Sequence, residues 1–526
     1  MSEQVERQGI PPFPSSYRSC GVLLHVSSLP SAYGIGDVGP AARAWIDRLQ
    51  EAGQGWWQAL PLGPTGYGNS PYQSLSSFAG NEALVSPQDL IDEDLLGVGD
   101  CEGRSFPAVL VDYDAVIPFK NELLQCAWTK FSAGARSDLR GDFAQFSQRQ
   151  AHWLDDYALF RALKTRYRGA CYLEWPVPLL ERRPAALISA RRELATEVQQ
   201  VRFAQFLLFR QWQRLRDHAA EKGVSLIGDL PFYVSLDSSD VWANPQMFLL
   251  DAQHQPRFVA GVPPDYFSAQ GQLWGNPVYD WAALQRSGYR WAIDRLGALL
   301  AVVDAVRLDH FRGFAAAWHV PAGAATAQTG QWVPGPGAEF LTAASRELGE
   351  LPFIAEDLGL ITPDVGALRD GFHLPGMRVL QFAFDGKSDN PHLPNNYAPN
   401  TVVYTATHDN ATTRGWFEGL TDRQRRIVWD YLKRPDGTSD KAAWALIELA
   451  WSSSAALAMA PLQDLLNLGN EARMNLPGRA EGNWRWRCTE DMLTPAAFQW
   501  LHDFTITSSR MSHRLPTLPE KRGETP

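Results

Sequence analysis

The stretch Ala305-Val306-Arg307-Leu308-Asp309-His310 decides the fold class of this chain. Its apolar residues predict a short buried strand, and that strand ends at an acidic side chain. Three further apolar runs end in the same way, within residues 225–229, 353–357 and 402–409. Acidic side chains are costly to bury, so their repeated occurrence at strand ends indicates a functional site. In a parallel barrel, catalytic groups gather at the C-terminal ends of the strands.

The order of the predicted elements favours an α/β chain folded as a (β/α)8 TIM barrel. The spacings between Asp229, Asp309, Glu356 and Asp409 are 80, 47 and 53 residues. Two of these spacings fit one or two βα units. A helix is predicted from Pro40 to about Ala52, because its apolar residues recur at helical spacing. Additional strands are predicted at 21–26, 57–62, 377–384 and 473–475.

We expect residues 1–526 to form a single catalytic barrel domain with large, mainly helical insertions. Residues 85–220 show long helical patterns without a comparable strand, which predicts a helical insertion after the second strand. Residues 235–300 alternate turn formers with aromatic residues, which predicts an insertion after the third strand that includes a substrate-covering loop. Residues 512–526 are expected to form a flexible tail.

Composition and charge exclude several function classes. The chain carries a formal net charge of −10 and shows no basic stripe, so nucleic acid is not an expected partner. The apolar stretch 442–462 contains Glu448 and three serines, which is typical of a buried helix rather than a membrane span. The five cysteines form no Cys-x-x-Cys pair, and the N-terminus lacks a signal-peptide pattern. We therefore expect a cytoplasmic protein and no contact with a membrane.

The histidine pattern argues against a metal site. None of the 11 histidines forms the His-x-His spacing of a barrel zinc hydrolase, and the first strand offers only His25. The sequence also contains neither a Gly-rich phosphate loop in a strand–helix context nor a Gly-x-Ser-x-Gly turn. We expect no metal and no cofactor. Several carboxylates converging on one pocket indicate acid–base and nucleophilic chemistry on a glycosidic bond.

The residue types suggest roles for two of these carboxylates. Arg307 and Asp309 point to the same side of their strand, and a neighbouring arginine is expected to lower the pKa of Asp309. A lowered pKa suits a nucleophile, although a structural ion pair is an equally good reading. Glu356 ends an apolar strand, where burial raises the pKa as a general acid requires. Asp357 competes for that role, and spacing does not separate the two, although we favour Glu356.

The remaining carboxylates leave more than one reading open. Asp409 follows His408, and such a pair can ligate a metal or hydrogen-bond to sugar hydroxyls. Asp229 is expected either to hydrogen-bond a hydroxyl group or to hold Arg307 in place.

Nine blocks of sequence resemble one known family. Three of them lie at predicted strand ends: Arg307-Leu-Asp-His-Phe-Arg-Gly313, Ile354-Ala-Glu-Asp-Leu-Gly359 and Tyr404-Thr-Ala-Thr-His-Asp-Asn410. The others are His25-Val-Ser-Ser-Leu-Pro30, Tyr33-Gly-Ile-Gly36, Gly66-Tyr-Gly-Asn-Ser-Pro-Tyr-Gln73, Gly261-Val-Pro-Pro-Asp-Tyr-Phe267, Gly271-Gln-Leu-Trp-Gly-Asn-Pro277 and Met474-Asn-Leu-Pro-Gly478. Taken in chain order, these blocks resemble the 4-α-glucanotransferases, the amylomaltase or disproportionating-enzyme family, which is related to the α-amylase clan.

The resemblance implies a role for each matching residue. In this family the aspartate matching Asp309 is the nucleophile, and the glutamate matching Glu356 is the acid/base. The aspartate matching Asp409 binds and distorts the sugar at the cleavage site. Trp274 and Asp265 match a loop that covers the acceptor side. The implied substrate-binding residues are Tyr72, Asp229, Asp265, Trp274, Asn276, Arg307, His408 and Asn475. The family uses neither a metal nor an organic cofactor.

The implied activity is transfer of an α-1,4-glucan segment to the 4-hydroxyl of an acceptor glucan or glucose. It proceeds with retention through a covalent glycosyl-aspartate, and its partners are maltooligosaccharides and α-1,4-glucans. The alternatives are an α-1,4-glucan hydrolase, a non-catalytic glucan-binding protein and a metal-dependent barrel hydrolase. The sequence does not determine the oligomeric state.

Overall fold

Eight parallel strands close into a barrel in the computed structural model, which describes residues 13, 17–264, 268–435, 437–479 and 481–511. The prediction of a TIM barrel is therefore confirmed. Around the barrel the strands follow the order β1-β12-β11-β10-β9-β6-β3-β2. The barrel strands are β1 (Ser19–Leu23), β2 (Trp56–Gln58), β3 (Ser225–Leu230), β6 (Ala305–Leu308), β9 (Phe353–Ala355), β10 (Gly376–Val379), β11 (Thr401–Tyr404) and β12 (Leu457–Pro461).

The helices cover the outside of the barrel and fill its connections. They are α1 (Pro40–Glu51), α2 (Pro87–Asp92), α3 (Tyr113–Ser132), α4 (Arg140–Arg149), α5 (Ala151–Arg166), α6 (Val177–Leu180), α7 (Pro184–Glu193), α8 (Ala195–Lys222), α9 (Ser239–Ala243), α10 (Trp281–Arg286), α11 (Arg290–Leu300), α12 (Gly337–Leu348), α13 (Pro363–Gly371), α14 (Thr413–Glu418), α15 (Asp422–Tyr431), α16 (Ser439–Ser452), α17 (Leu462–Leu465) and α18 (Pro495–Thr507). None of these helices, within the described residues, has the length and apolar character needed to cross a membrane.

The barrel interior is a packed core rather than a pore. Side chains such as Trp56, Ile227, Ile354 and Tyr404 point inward and form one buried cluster. A second and larger cluster joins the outer faces of the strands to the helices. Because both faces are covered, the barrel strands have almost continuous apolar sequences, which is why they could be recognised as buried strands.

Two inserted regions build the walls of the barrel mouth. Residues 59–224 connect β2 to β3 and contain α2 to α8. A four-stranded antiparallel sheet with the order β5-β4-β7-β8 is formed by segments that follow β3 and β6. Its strands are β4 (Phe258–Val262), β5 (Gln272–Pro277), β7 (Ala316–Pro321) and β8 (Gln331–Pro334). Residues 235–300, predicted to include a covering loop, therefore contribute two strands of a sheet.

The eighth strand differs from its prediction. It is β12, whereas residues 473–475 lie in a loop at the barrel mouth. The stretch 442–462 was predicted as a single buried helix, but α16 ends at Ser452 and β12 begins at Leu457. Both elements are apolar and adjacent, so hydrophobic periodicity does not separate them. Two other strands, β2 and β10, are shorter than predicted, and residues 380–382 form a 3-10 turn. The tail predicted at 512–526 lies outside the described residues.

Arg510 connects three backbone segments near the start of β1. Its side chain is fully buried, and its guanidinium donates hydrogen bonds to four backbone carbonyls. Nε donates to Trp451 (2.6 Å), Nη1 to Ser19 (2.9 Å), and Nη2 to Ser453 (2.9 Å) and Ala455 (2.8 Å). These bonds connect the segment after α18 to the start of β1 and to the link between α16 and β12.

We predict that Arg510→Met destabilises the fold strongly. The substitution keeps most of the volume but removes the Arg510 hydrogen bonds from four buried carbonyl oxygens, of which those of Ser453 and Trp451 keep a bond from Arg18. We expect a cost of about 3–5 kcal/mol in the free energy of unfolding. Thermal and urea unfolding followed by circular dichroism measure the change. Arg290→Met is the matched control, because Arg290 is 72% exposed in a surface pair with Asp294. Equal stability losses in the two variants would contradict the assignment.

Candidate active site at the barrel mouth

A cavity of about 900 Å³ opens at the C-terminal ends of the barrel strands. Its wall includes Asp309 after β6, Glu356 after β9 and Asp409 after β11. The loop after β2 adds Tyr72, and β5 adds Trp274. Side chains that are far apart in sequence therefore meet in one space, which is the usual position of the active site in this fold.

Arg307 forms the charged centre of this site. Its guanidinium is buried, and Nη1 donates to both carboxylate oxygens of Asp229 at 2.8 Å. Nη2 lies 3.0 Å from Oδ1 of Asp309. The geometry follows from strand register, because Asp229 on β3 is the direct neighbour of Arg307 on β6. Tyr72 completes the arrangement by donating its hydroxyl hydrogen to Oδ2 of Asp229 at 2.7 Å.

The pKa of Asp309 differs in direction from the prediction. Its pKa was predicted to fall beside Arg307, but burial raises the pKa of this carboxyl to about 6. Arg307 does favour the ionised form, but Asp229 and Asp409 repel the negative charge and add to the effect of burial. Asp309 is thus mostly ionised at neutral pH, but its pKa lies closer to neutrality than the ion pair with Arg307 alone would give.

Glu356 has the electrostatics expected of an acid. Burial, reinforced by the charge of Asp309, raises the pKa of its carboxyl to about 8, although Arg307 opposes the rise. Two backbone N–H groups orient the carboxyl: His310 donates to Oε2 at 2.7 Å and Leu358 to Oε1 at 3.1 Å. Glu356 is therefore mostly protonated at neutral pH while the carboxyl of Asp309 is mostly charged.

Asp357 occupies a different environment from Glu356. Its carboxylate accepts hydrogen bonds from Arg369, from Arg378 at 3.1 Å, and from the backbone N–H of Met377 at 2.7 Å. It is buried among these donors and does not contribute to the cavity wall. The two neighbouring carboxylates, which spacing could not distinguish, are separated by the structure into one cavity residue and one structural residue.

Asp409 is held by the loop that follows the barrel strands. Asn475 donates its side-chain N–H to Oδ1 of Asp409 at 2.6 Å, and Nε2 of His408 lies 3.4 Å from the same oxygen. Arg473 donates to the backbone carbonyl of Asp409 at 2.6 Å. Residues 473–475, predicted as a strand, thus support the site instead. The Asp409 side chain is 46% exposed and faces the cavity.

The imidazole of His408 packs against two aromatic rings that also contact each other. It stacks on Tyr72 with ring centroids 5.1 Å apart and an interplanar angle of 15°, and it also contacts Trp484. Burial lowers the pKa of His408, so the ring is neutral at neutral pH. A neutral imidazole can donate through Nε2 to Asp409 without adding positive charge to the site.

The sheet supplies one wall of the cavity. Trp274 lines the cavity and places its ring against His310, with centroids 4.8 Å apart and an edge-to-face orientation. Asn276 is buried; it accepts a hydrogen bond from Gln73 at 3.1 Å and donates to the carbonyl of Val234 at 2.9 Å. It therefore links the sheet to the loops after β2 and β3. Asp265 lies outside the described residues.

His310 is a cavity residue that the sequence did not single out. Its backbone is in the left-handed region, with φ 47° and ψ 48°, an uncommon conformation for a residue other than glycine. This turn directs its N–H at Glu356 and its ring at Trp274. The position follows directly after Asp309 in the quoted motif, but the sequence gives no signal for its backbone conformation.

In the described part of the chain, no group of three or more His, Cys, Asp or Glu side chains is arranged to hold a metal ion. The cavity wall thus combines ionisable groups with aromatic rings and amides. This set of side chains can bind hydroxyl groups, stack on apolar ring faces and move one proton.

The family model described as 4-alpha-glucanotransferase, glycoside hydrolase family 77, matches residues 24–494. A 4-alpha-glucanotransferase of Synechocystis sp. is 49% identical over 480 residues, which cover 90% of this chain and 95% of the relative. One from Thermus thermophilus is 48% identical over 483 residues, with 91% and 96% covered. Among solved structures, an amylomaltase from Streptococcus agalactiae in complex with acarbose matches with a TM-score of 0.91 at 36% identity, covering 94% of this chain and 100% of that one.

Proposed function

The chain belongs to the 4-alpha-glucanotransferase family, and from this premise we propose that it transfers a segment of an α-1,4-glucan to the 4-hydroxyl of another glucan or of glucose. We propose further that transfer retains the anomeric configuration. The observation that carries this proposal is the pair Asp309 and Glu356, which share one cavity wall while their pKa values lie on opposite sides of neutrality.

In the first half-reaction, the charged carboxylate of Asp309 attacks the anomeric carbon of the donor glucan. The glycosidic C–O bond breaks, and its electron pair goes to the leaving oxygen, which takes the proton of Glu356. The products are a glycosyl ester on Asp309 and a shortened glucan with a free 4-hydroxyl. Arg307 keeps Asp309 ionised and oriented for this attack.

In the second half-reaction, the 4-hydroxyl oxygen of an acceptor attacks the same carbon, and Glu356 takes its proton. The ester bond breaks and Asp309 recovers its charge. Esterification removes the negative charge of Asp309, which is one of the causes of the raised pKa of Glu356. The pKa of Glu356 therefore falls in the intermediate, so the carboxyl stays ionised after giving up its proton and is available as the base for the second step. Two inversions at one carbon give net retention.

Asp409 is proposed to bind hydroxyl groups of the sugar at the cleavage site. Asn475 and His408 both contact Oδ1, so among the described residues Oδ2 is left for the ligand. Tyr72 and Asp229 are proposed to support Arg307 and the stacked His408 ring. These assignments are supported by the contacts above and by the family resemblance.

Transfer requires that an acceptor glucan, rather than water, reaches the glycosyl ester. Holding the acceptor in place and excluding water both favour transfer. The rings of Trp274 and His310 provide an aromatic surface next to Glu356 on which an acceptor sugar can lie. A hydrolase would use the same carboxylates, so product analysis distinguishes the two activities.

We predict that the protein converts maltotriose alone into glucose and a ladder of longer maltooligosaccharides, measured by chromatography. Products no longer than the substrate would indicate hydrolysis and contradict the proposal.

Asp309→Asn should reduce turnover by roughly 10⁴-fold or more, because the nucleophile is lost. Asp422→Asn is the control, since this aspartate is 90% exposed on α15 and should leave turnover unchanged.

The two pKa values predict a bell-shaped dependence of kcat/KM on pH. Activity rises through about pH 6 as Asp309 ionises, and falls through about pH 8 as Glu356 loses its proton. Initial rates with maltotriose across pH 5–9 measure both limbs. A profile that stays flat between pH 6 and pH 9 would argue against Glu356 as the acid.

The covalent intermediate is testable in Glu356→Gln. A donor such as α-maltotriosyl fluoride needs no acid, because fluoride departs unprotonated, while the variant lacks the base for the second step. We predict that mass spectrometry finds a maltotriosyl group on the peptide that contains Asp309. The same label on a peptide containing Asp409, or none in the variant while fluoride is released, would contradict the assigned nucleophile. The double variant with Asp309→Asn is the control.

A further inference from the structure

Trp332 lies on β8 at the outer edge of the antiparallel sheet, and its half-buried indole lines the same cavity as Asp309 and Glu356. The proposed reaction steps do not use it. Its Nε1–H has no hydrogen-bond acceptor among the described residues, whereas the neighbouring Trp318 donates from Nε1 to the carbonyl of Ala327 at 2.8 Å. Trp332 thus combines an aromatic ring with an unused donor at the cavity wall.

The ring of Trp332 is fixed before any ligand binds. The guanidinium carbon of Arg312 lies 3.8 Å from the ring centroid of Trp332. Trp318, its direct neighbour on β7, packs against it in an edge-to-face arrangement with centroids 5.2 Å apart. Arg312 is itself held by backbone carbonyls, those of Leu360 and, at 3.5 Å, Ala316. An indole packed against a cation and a second ring loses little conformational freedom when a ligand binds.

Trp332 lies at the opposite edge of the sheet from Trp274, whose ring packs against His310 beside Glu356. Trp274 is on β5 and Trp332 on β8, which are the two edge strands of the sheet order β5-β4-β7-β8. Three spacings between neighbouring strands separate them, or roughly 14 Å. Both rings line one cavity of about 900 Å³, so a ligand that contacts both must be extended. A short ligand that lies beside Trp274 does not contact Trp332.

We propose that Trp332 is a binding platform for a glucose unit remote from the scissile bond, and that it makes the enzyme favour longer glucans. The inference rests on the proposed function, since it assumes that glucans occupy this cavity. The apolar face of a pyranose stacks on the indole, and a sugar hydroxyl accepts from Nε1–H. The competing reading is that Trp332 only clamps Arg312, three residues after Asp309, and touches no ligand.

Binding separates the two readings without catalysis. In the Asp309→Asn background, calorimetry measures the affinity for maltoheptaose and for maltotriose. Trp332→Ala should weaken maltoheptaose binding about three- to tenfold more than maltotriose binding, the effect expected for loss of one aromatic contact. Trp332→Phe keeps a ring and should recover most of the affinity. Equal affinities with and without the indole would overturn the inference.

Kinetics in the chain with Asp309 intact give an independent readout. Trp332→Ala should raise the ratio of KM for maltoheptaose to KM for maltotriose about three- to tenfold. Equal losses in kcat for both substrates, with that ratio unchanged, would show that Trp332 acts by clamping Arg312 and would overturn the inference. Trp444→Ala is the control, because Trp444 is 39% exposed on α16 and does not line the cavity. Failure of the unaltered protein to extend maltotriose would instead contradict the proposed function.

Discussion

Arg307 places one buried positive charge between Asp229 and Asp309, and the arrangement of the site follows from this contact. Both oxygens of Asp229 and one oxygen of Asp309 lie within 3.0 Å of its guanidinium nitrogens. A planar guanidinium can serve two carboxylates at once in a fixed geometry, which a lysine cannot do. The contact also fixes the register of β3 against β6, because a slip by one residue would turn either side chain to the other face of the barrel wall. Removing Arg307 would leave the buried charge of Asp229 unpaired, which costs more than the pair contributes.

The site contains more carboxylates than this one arginine can stabilise in the charged state. Burial and mutual repulsion therefore raise the pKa of Asp309 to about 6 and that of Glu356 to about 8. Asp309 forms an ion pair with Arg307 at 3.0 Å, whereas Glu356 accepts hydrogen bonds from the backbone N–H groups of His310 and Leu358. The difference between the two environments assigns the charge to one residue and the proton to the other. In the proposed reaction the ester on Asp309 removes one of the repelling charges, so the same electrostatic coupling lets Glu356 act first as acid and then as base.

The sequence was most informative where the signal is local. A carboxylate that follows a buried apolar run indicates the end of a strand. This pattern predicted the barrel and predicted that Asp309 and Glu356 line one cavity. Their chemical roles remain predictions. The sequence did not predict properties that depend on residues distant in the chain. The pKa of Asp309 depends on Asp229 and Asp409, which are distant in the chain, and the neighbouring arginine alone suggested the wrong direction. The strand β12 was hidden because only the short link of residues 453–456 separates it from α16, and both elements are apolar. The segment that contains β4 and β5 was interpreted as an insertion with a covering loop, because it is rich in turn formers, and no strand was predicted where β7 and β8 lie. The left-handed backbone of His310 has no sequence signature.

The carboxylates alone do not explain why such a site would transfer glucans rather than hydrolyse them, because a hydrolase needs the same pair. The part of the site that distinguishes the two activities must bind an acceptor glucan although water, the competing acceptor, is always present. A hydrogen-bonded sheet is well suited to this task, since its aromatic side chains are ordered before the ligand binds and little binding energy is lost in arranging them. Its strands pack closely because β4 carries Gly261, where a Cβ would come within 2.4 Å of the carbonyl oxygen of Gln272 on β5. Asn276 and Gln73 join this sheet to the loop that carries Tyr72, so the acceptor wall and the charged centre form one connected structure. In the proposed reaction, selectivity between water and glucan belongs to the segments inserted after β3 and β6, while residues at the ends of the barrel strands supply the reacting groups.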